Sequence, residues 1–135
     1  MSLESSCVFC MPHDMINPSH FLLQHKFRQW TILDGDIMAG RFGLSLAKLG
    51  DLDHDGYDDL AIGAPYDHHG GTVYIYRGGP NGIDEKPGQV IRGQDVDPRL
   101  KGFGYSLSGQ VDLDGNGYPD LLVGAPDSGQ TVYFR

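Results

Sequence analysis

Cysteine is scarce in this chain, which has only Cys7 and Cys10, spaced C-x-x-C, among its 135 residues. A structural zinc site needs four ligands, and the nearby His13 and His20 would have to complete it. A redox pair is expected next to a βαβ pattern, and none follows here. We therefore interpret the two cysteines as part of a loose N-terminal segment, and their role stays open.

Basic residues and long apolar runs are also few. The chain has 10 Lys and Arg against 18 Asp and Glu, a formal net charge of −8, which argues against nucleic acid as a partner and favours cations. The N-terminus has no basic region, and Glu4 and Asp14 interrupt its apolar residues, so it does not form a signal peptide. The stretch FLLQHKF is too short and too charged to span a bilayer. We expect neither an export signal nor a membrane anchor in this chain.

Common catalytic motifs are missing as well. The sequence contains no G-x-S-x-G, no H-E-x-x-H and no phosphate-binding glycine-rich loop. His68 and His69, beside Asp67 and Asp127, are residue types that a metal or acid–base site uses. We interpret them as a polar hairpin tip, and we predict that the chain is not an enzyme.

Glycine, in contrast, is abundant, with 20 residues, about twice the usual share. This favours tight turns over long helices. The chain also repeats itself, because four blocks recur in the same order, three of them at one constant spacing and the last at a slightly shorter one. The blocks are FG-x-SL at 42–46 and 103–107, aspartate at 51 and 112, GAP at 63–65 and 124–126, and TVY at 72–74 and 131–133. They define a repeat of about 60 residues.

Each repeat is predicted to be β. The first contains four short runs of alternating, β-branched or compact apolar character: FGLSLAKLG, DDLAIGAP, TVYIYRG and QVIRG. Four strands separated by glycine-rich turns are typical of a propeller blade. We therefore predict an all-β fold, a partial β-propeller with blades of four antiparallel strands, incomplete at about two blades. Phe42 and Phe103 are predicted to pack each blade on its neighbour, and the GAP glycines to allow close backbone approach.

The repeat divides the chain into three predicted parts. Residues 1–28 form an atypical N-terminal segment that we expect to be poorly ordered, although residues 20–29 show a weak helical period. Residues 29–101 form the first repeat, and QWTIL at its start is a candidate for the last strand of an earlier blade. Residues 102–135 form a second repeat, which we predict to be truncated because it lacks its fourth strand.

Two acidic loops, DLDHDGYDD and DLDGNGYPD, occupy the same place in the two repeats. Carboxylates this close repel one another unless a cation neutralises them, and Ca²⁺ prefers six to eight oxygen ligands. Ligand candidates stand at positions 1, 3, 5 and 9, with a main-chain carbonyl at position 7 and a glycine at position 6 that permits a sharp turn. We predict two Ca²⁺ sites with the ligands Asp51, Asp53, Asp55, Tyr57 (carbonyl) and Asp59, and Asp112, Asp114, Asn116, Tyr118 (carbonyl) and Asp120.

Other interpretations of these loops fit less well. An EF-hand needs a glutamate at position 12, where this chain has Ile62 and Val123, and its flanks are helices. Metal-free turns would also use Asp, Asn and Gly, but they would not explain the recurrence at identical spacing. Asp58 is expected to point to solvent, because its counterpart is Pro119. The first site, with four ligand carboxylates rather than three, is expected to bind Ca²⁺ more tightly.

The order FG, then D-x-D-x-D/N-G-Y-x-D, then GAP resembles the FG-GAP repeats of integrin α chains, from about residue 29 to the C-terminus. The stretches GFGYSLSGQVDLDGNGYPDLLVG and GTVYIYRG are most similar to the laminin-binding integrin α group. The resemblance implies a seven-bladed propeller whose last blades carry calcium loops on the face away from the ligand. It also implies pairing with an integrin β subunit, binding of extracellular matrix and signalling by the full-length receptor, at the extracellular face of the plasma membrane. Matrix-contacting loops lie mainly on earlier blades, so this segment is not expected to adhere by itself or to contact the membrane.

Two other functions stay open. The propeller of a secreted calcium-dependent hydrolase such as GPI-specific phospholipase D also resembles this repeat. An independent calcium-dependent binding module would use Tyr66, Asp67 and His68, on the side opposite the metal, as its contact surface. The matrix ligand, the β partner and the ability of this segment to fold alone are not predicted by the sequence.

Overall fold

The computed structural model describes residues 31–135, and these residues form β-strands joined by tight turns. The predictions for residues 1–28, the C-x-x-C pair and the weak helical period lie outside the described residues. The elements are β1 (Ser45–Gly50), β2 (Asp59–Ala64), β3 (Thr72–Tyr76), β4 (Gly78–Gly79), β5 (Gly82–Ile83), β6 (Gln89–Arg92), α1 (Gly93–Val96), β7 (Ser106–Val111), β8 (Asp120–Ala125) and β9 (Gln130–Phe134), with 3₁₀ turns at Met38–Gly40 and Pro126–Ser128. Within residues 31–135, no helix has the length and apolarity that crossing a membrane requires.

The first repeat folds into a four-stranded antiparallel sheet in the order β1-β2-β3-β6. Each strand lies within one of the four runs predicted from the sequence. β3 is buried at all five positions, as expected for a central strand covered on both faces. The candidate strand QWTIL is not borne out in its described part, because residues 31–33 have no strand conformation.

The second repeat forms a three-stranded antiparallel sheet in the order β7-β8-β9. It reproduces the first three strands of the first sheet, including an irregularity in the first hairpin, where the register shifts near Gly50 in one sheet and before Val111 in the other. The predicted fold class is therefore confirmed: the described residues are all-β, with antiparallel sheets as in a partial FG-GAP β-propeller.

Both sheets contribute to one hydrophobic cluster. Leu49, Ala61 and Val73 of the first sheet are buried together with Phe103 and Val123 of the second repeat. A second cluster lies on the other side of β2 and β3, where the half-buried Phe42 packs edge-on against Tyr74 with ring centroids 5.3 Å apart. Phe103 thus packs the second repeat on the first, as predicted, whereas Phe42 packs against its own repeat and its contact with a neighbouring blade stays a prediction.

The GAP glycine of the first repeat lies where the two repeats approach most closely. The Cα of this glycine, Gly63, is 3.3 Å from the position that a Cβ on Gly104 would take. Ser45 Oγ donates a 2.6 Å hydrogen bond to the Gly104 carbonyl. A side chain at Gly63 would overlap that carbonyl oxygen. The backbone therefore passes closely here, as the sequence predicts.

Candidate metal centres

Both acidic loops are hairpin turns, the first between β1 and β2 and the second between β7 and β8. They adjoin each other, because the His54 ring packs edge-on against the Tyr118 ring with centroids 4.6 Å apart. Gly56 and Gly117 have φ values of 93° and 91°, in the left-handed region that glycine adopts readily. The glycine at position 6 of each loop thus makes the predicted turn.

In the first loop the backbone folds around Asp51. Its carboxylate accepts hydrogen bonds from the N–H groups of Asp55 (3.0 Å) and Gly56 (2.7 Å), and Asp55 accepts one from Tyr57 N–H (2.9 Å). Carboxylate oxygens of Asp51, Asp53 and Asp55 lie within 4.8 Å of one another. Three of the predicted ligands therefore converge on one point.

Asp59 takes a different position. It is 2 % exposed, and its two oxygens accept hydrogen bonds from the N–H groups of Leu52 (3.0 Å) and Gly78 (2.9 Å). Burial raises the pKa of this carboxyl above its usual range, although the two hydrogen bonds act in the opposite direction. Asp59 thus ties the loop to β4 and lies outside the cluster of three carboxylates; its role as a Ca²⁺ ligand stays a prediction.

In the second loop Asp112 has the place of Asp51. Its oxygens accept hydrogen bonds from the N–H groups of Gly115 (2.7 Å), Asn116 (3.1 Å) and Gly117 (2.8 Å). These hydrogen bonds favour the charged form and therefore hold the pKa of Asp112 below its usual range. The bond from Gly117 N–H has the largest effect. The carboxylate at position 1 is therefore kept ionised, as metal binding requires.

Asp120 completes the cluster of the second loop. It is 3 % exposed, and its Oδ2 accepts hydrogen bonds from Leu113 N–H (2.6 Å) and the Tyr133 hydroxyl (2.9 Å). Its Oδ1 is buried and has no hydrogen-bond partner among residues 31–135. Asp112, Asp114 and Asp120 each offer an oxygen within 4.8 Å of the others. A buried carboxylate oxygen without a partner is costly, and a cation placed among these three groups would compensate it.

The remaining predicted ligands flank these clusters. Asn116 Oδ1 accepts a hydrogen bond from Tyr118 N–H (2.8 Å), and its Nδ2 donates to Asp114 (3.1 Å). The rings of Tyr57 and Tyr118 are exposed. Their predicted role uses the main-chain carbonyls and leaves the rings outside the site.

Two expectations about charged side chains need correction. Asp58 does not simply point to solvent: it is half-buried and forms a 2.6 Å ion pair with Lys48 of β1. Asp67 does not belong to an exposed contact surface, because it is 1 % exposed. No local pattern in the sequence signals either arrangement, since both depend on which side chains the strand register brings together.

A cavity of about 260 Å³ lies beside the first loop. In it the Arg77 guanidinium lies 3.8 Å from the Asp53 carboxylate, so one cation already approaches this loop. The lining residues are Leu52, Asp53, Asp59, Ile75, Arg77, Gly88 and Gln89. Two of the predicted ligands of the first loop, Asp53 and Asp59, thus line this cavity.

Both repeats of the chain are similar to repeats of known proteins. The family model "FG-GAP repeat" matches residues 42–76 and 103–134. The chain is 47% identical to integrin alpha-PS2 of Drosophila melanogaster over 116 residues (80% of this chain, 8% of the relative) and 50% identical to integrin alpha-5 of Xenopus laevis over 107 residues (77% and 10%). It is 57% identical to human integrin alpha-7 over 84 residues (62% and 7%). The chain therefore spans a tenth or less of the length of each of these relatives.

Proposed function

We propose that the chain is a calcium-binding structural module of an integrin α-type adhesion receptor. The proposal rests on its two FG-GAP repeats and on its homology to integrin α chains. The observation that carries the calcium assignment is Asp120 Oδ1, which is buried without a partner beside the carboxylates of Asp112 and Asp114. The first loop offers a second group of three carboxylates at the corresponding place.

The donor set favours calcium over softer metals. Each cluster consists of carboxylate oxygens, and the loops add amide and main-chain oxygens, which hard cations prefer. The glycine turns make each loop pliable, and Ca²⁺ tolerates irregular coordination better than Mg²⁺, which demands near-ideal octahedral geometry. The residues present therefore fit calcium.

The proposed role of the ions is structural. Each loop joins two strands whose hairpin is irregular next to the acidic residues. Repulsion among three converging carboxylates would open such a turn, and a divalent cation reverses the sign of that interaction. Bound Ca²⁺ would thus hold both hairpins closed without any catalytic step.

The wider role belongs to the full-length receptor. By homology to integrin α chains, we propose that this receptor pairs with a β subunit, binds extracellular matrix and signals from the plasma membrane, with this segment on its extracellular side. We also propose that the receptor is most similar to the laminin-binding integrin α group. The basis is the stretch around the second loop, GFGYSLSGQVDLDGNGYPDLLVG, together with GTVYIYRG.

Isothermal titration calorimetry with Ca²⁺ tests the module itself. The full chain should bind two ions, and Asp114→Asn, at an exposed position of the second cluster, should lose or strongly weaken one of them. Glu85→Gln removes an exposed carboxylate outside both loops and should leave both sites intact. Absence of Ca²⁺ uptake by a folded sample, or an equal loss in both variants, would contradict the proposal.

A further inference from the structure

A third group of potential ligands lies at the opposite end of the first sheet. β2 begins at Asp59, beside the first acidic loop, and ends at Ala64, shortly before Asp67 and His68. Asp36 approaches the same place from the segment before the FG motif. One ligand atom from each of Asp36, Asp67 and His68 lies within 4.8 Å of the others.

The buried member of this group has an oxygen without a partner. Asp67 is 1 % exposed, and its Oδ1 has no hydrogen-bond partner among residues 31–135. That oxygen faces His68, whose Nε2 lies 3.6 Å away from it and 4.0 Å from Asp36 Oδ2. A buried anionic oxygen beside an imidazole nitrogen, with a second carboxylate close to that nitrogen, is an arrangement that a positive charge between the groups would stabilise.

Tyr74 does not supply that charge. Its hydroxyl donates to Asp67 Oδ2 and lies 3.3 Å from Asp36 Oδ2, but one O–H proton can serve only one of the two carboxylates. The hydroxyl therefore positions the acids and adds no positive charge of its own.

The second repeat shows that the fold does not require this group. At the spacing that relates the two FG motifs, Asp67 corresponds to Ser128 and His68 to Gly129. Asp36 corresponds to Asp97, which forms a 2.6 Å ion pair with Arg99. Ser128 Oγ instead contacts the backbone of Lys101 and Ala125. The acid–histidine group is thus particular to the first repeat.

We propose that Asp36, Asp67 and His68 form a binding site for a divalent transition-metal ion of the Zn²⁺ type, separate from the acidic loops. One imidazole nitrogen with two carboxylates is a donor set that Zn²⁺ accepts, with a fourth position left for water or another ligand. The imidazole makes the site unlike the all-oxygen calcium loops, because calcium prefers oxygen ligands only.

Calorimetric titration of the full chain with Zn²⁺, at saturating Ca²⁺, tests the site. Cys7→Ser and Cys10→Ser are introduced first, so that thiolates of the N-terminal segment do not contribute. In this background His68→Ala should weaken one Zn²⁺ binding event by at least about tenfold, since loss of even an outer partner of a metal site commonly has that effect. Asp36→Asn, at an exposed position, should act in the same direction.

His69→Ala is the matched control, because it removes the neighbouring imidazole, which is not a member of the group. It should leave the Zn²⁺ affinity unchanged. Co²⁺ provides a second readout through its visible d–d absorption. This absorption should appear in the parent, which is the chain with Cys7→Ser and Cys10→Ser, and in its His69→Ala variant, and it should be lost in the His68→Ala variant. The proposal is overturned if the parent binds no Zn²⁺, if both histidine variants lose it equally, or if Ca²⁺ displaces the ion from this site.

Discussion

Position 9 of the two loops carries the same residue in two different environments. Asp59 directs both oxygens to backbone N–H groups, whereas Asp120 leaves its buried Oδ1 without a partner. The sequence predicts an aspartate ligand in both loops because it shows the spacing of the aspartates but not the hydrogen-bond partners of each carboxylate. The difference arises from the donors. Gly78 N–H of β4 donates to Asp59 Oδ1, whereas the Tyr133 hydroxyl donates to Oδ2 of Asp120 and not to Oδ1.

Exchange of the residues at position 5 tests whether carboxylate number sets calcium affinity. Asp55→Asn should weaken the first site and Asn116→Asp should strengthen the second, each by about tenfold, or ~1.4 kcal/mol, because affinity rises with ligand charge. Arg77 beside Asp53 opposes this trend in the first loop. Competition with a calcium-sensitive dye measures both sites, and unchanged relative affinities would refute the charge argument.

Asp97 offers a test at a single titrating group. Its hydrogen bonds from the Arg99 side chain lower its pKa to about 2, below an unperturbed value of about 3.9. A carboxyl with a lowered folded-state pKa contributes stability above the unfolded pKa, and that contribution is lost as the pH falls from about 4 to about 2. Carboxyl carbon chemical shifts against pH should show this value, and Arg99→Ala should move it back towards the unperturbed one. An unmoved pKa would contradict the assignment.

At the scale of elements, the GAP glycine explains how β2 meets the second FG motif. A methyl group at Gly63 would overlap the Gly104 carbonyl oxygen, part of a rigid backbone, and would displace the Ser45 hydroxyl. At Gly124 the atom in the way is the Ser106 hydroxyl oxygen, which can rotate away. We therefore expect Gly63→Ala to lower the free energy of unfolding by about 1–3 kcal/mol and Gly124→Ala to lower it much less. Urea denaturation measures both variants, and equal losses would contradict the role of the contact.

The first three strands of each repeat were predictable because their patterns occur twice, and the fourth strand of the first repeat was predictable from its own short run, QVIRG. The recurrence of matching blocks in the same order located the hairpins and the loops, and alternation located the strands. The short hairpin β4–β5 and the single turn α1 were not predicted, since neither lies in the blocks that match between the two repeats. The Lys48–Asp58 pair and the burial of Asp67 depend on register and packing, which no local pattern contains.

At the scale of the molecule, the two repeats share a core and also adjoin at their loops. Phe103 and Val123 pack with Leu49 and Val73 in one cluster, and at the loop end His54 packs on Tyr118. Ordering of one loop should therefore affect the packing of the other. The two proposed calcium ions are expected to stabilise the whole described unit rather than two separate turns.

Thermal unfolding at increasing Ca²⁺ concentration tests that expectation. An ion that binds only the folded state stabilises it by RT ln(1 + [L]/Kd), about 2.7 kcal/mol per site at one hundred times Kd. Each kcal/mol raises the Tm of a domain of this size by about 4–8 °C, so a single transition should move upward continuously with Ca²⁺. In the double variant Asp51→Asn/Asp112→Asn, which removes the carboxylate at position 1 of both loops, the Tm should no longer respond to Ca²⁺. If only part of a two-step transition moved, the repeats would unfold separately, and if the Tm stayed constant in the parent, calcium would not hold this fold together.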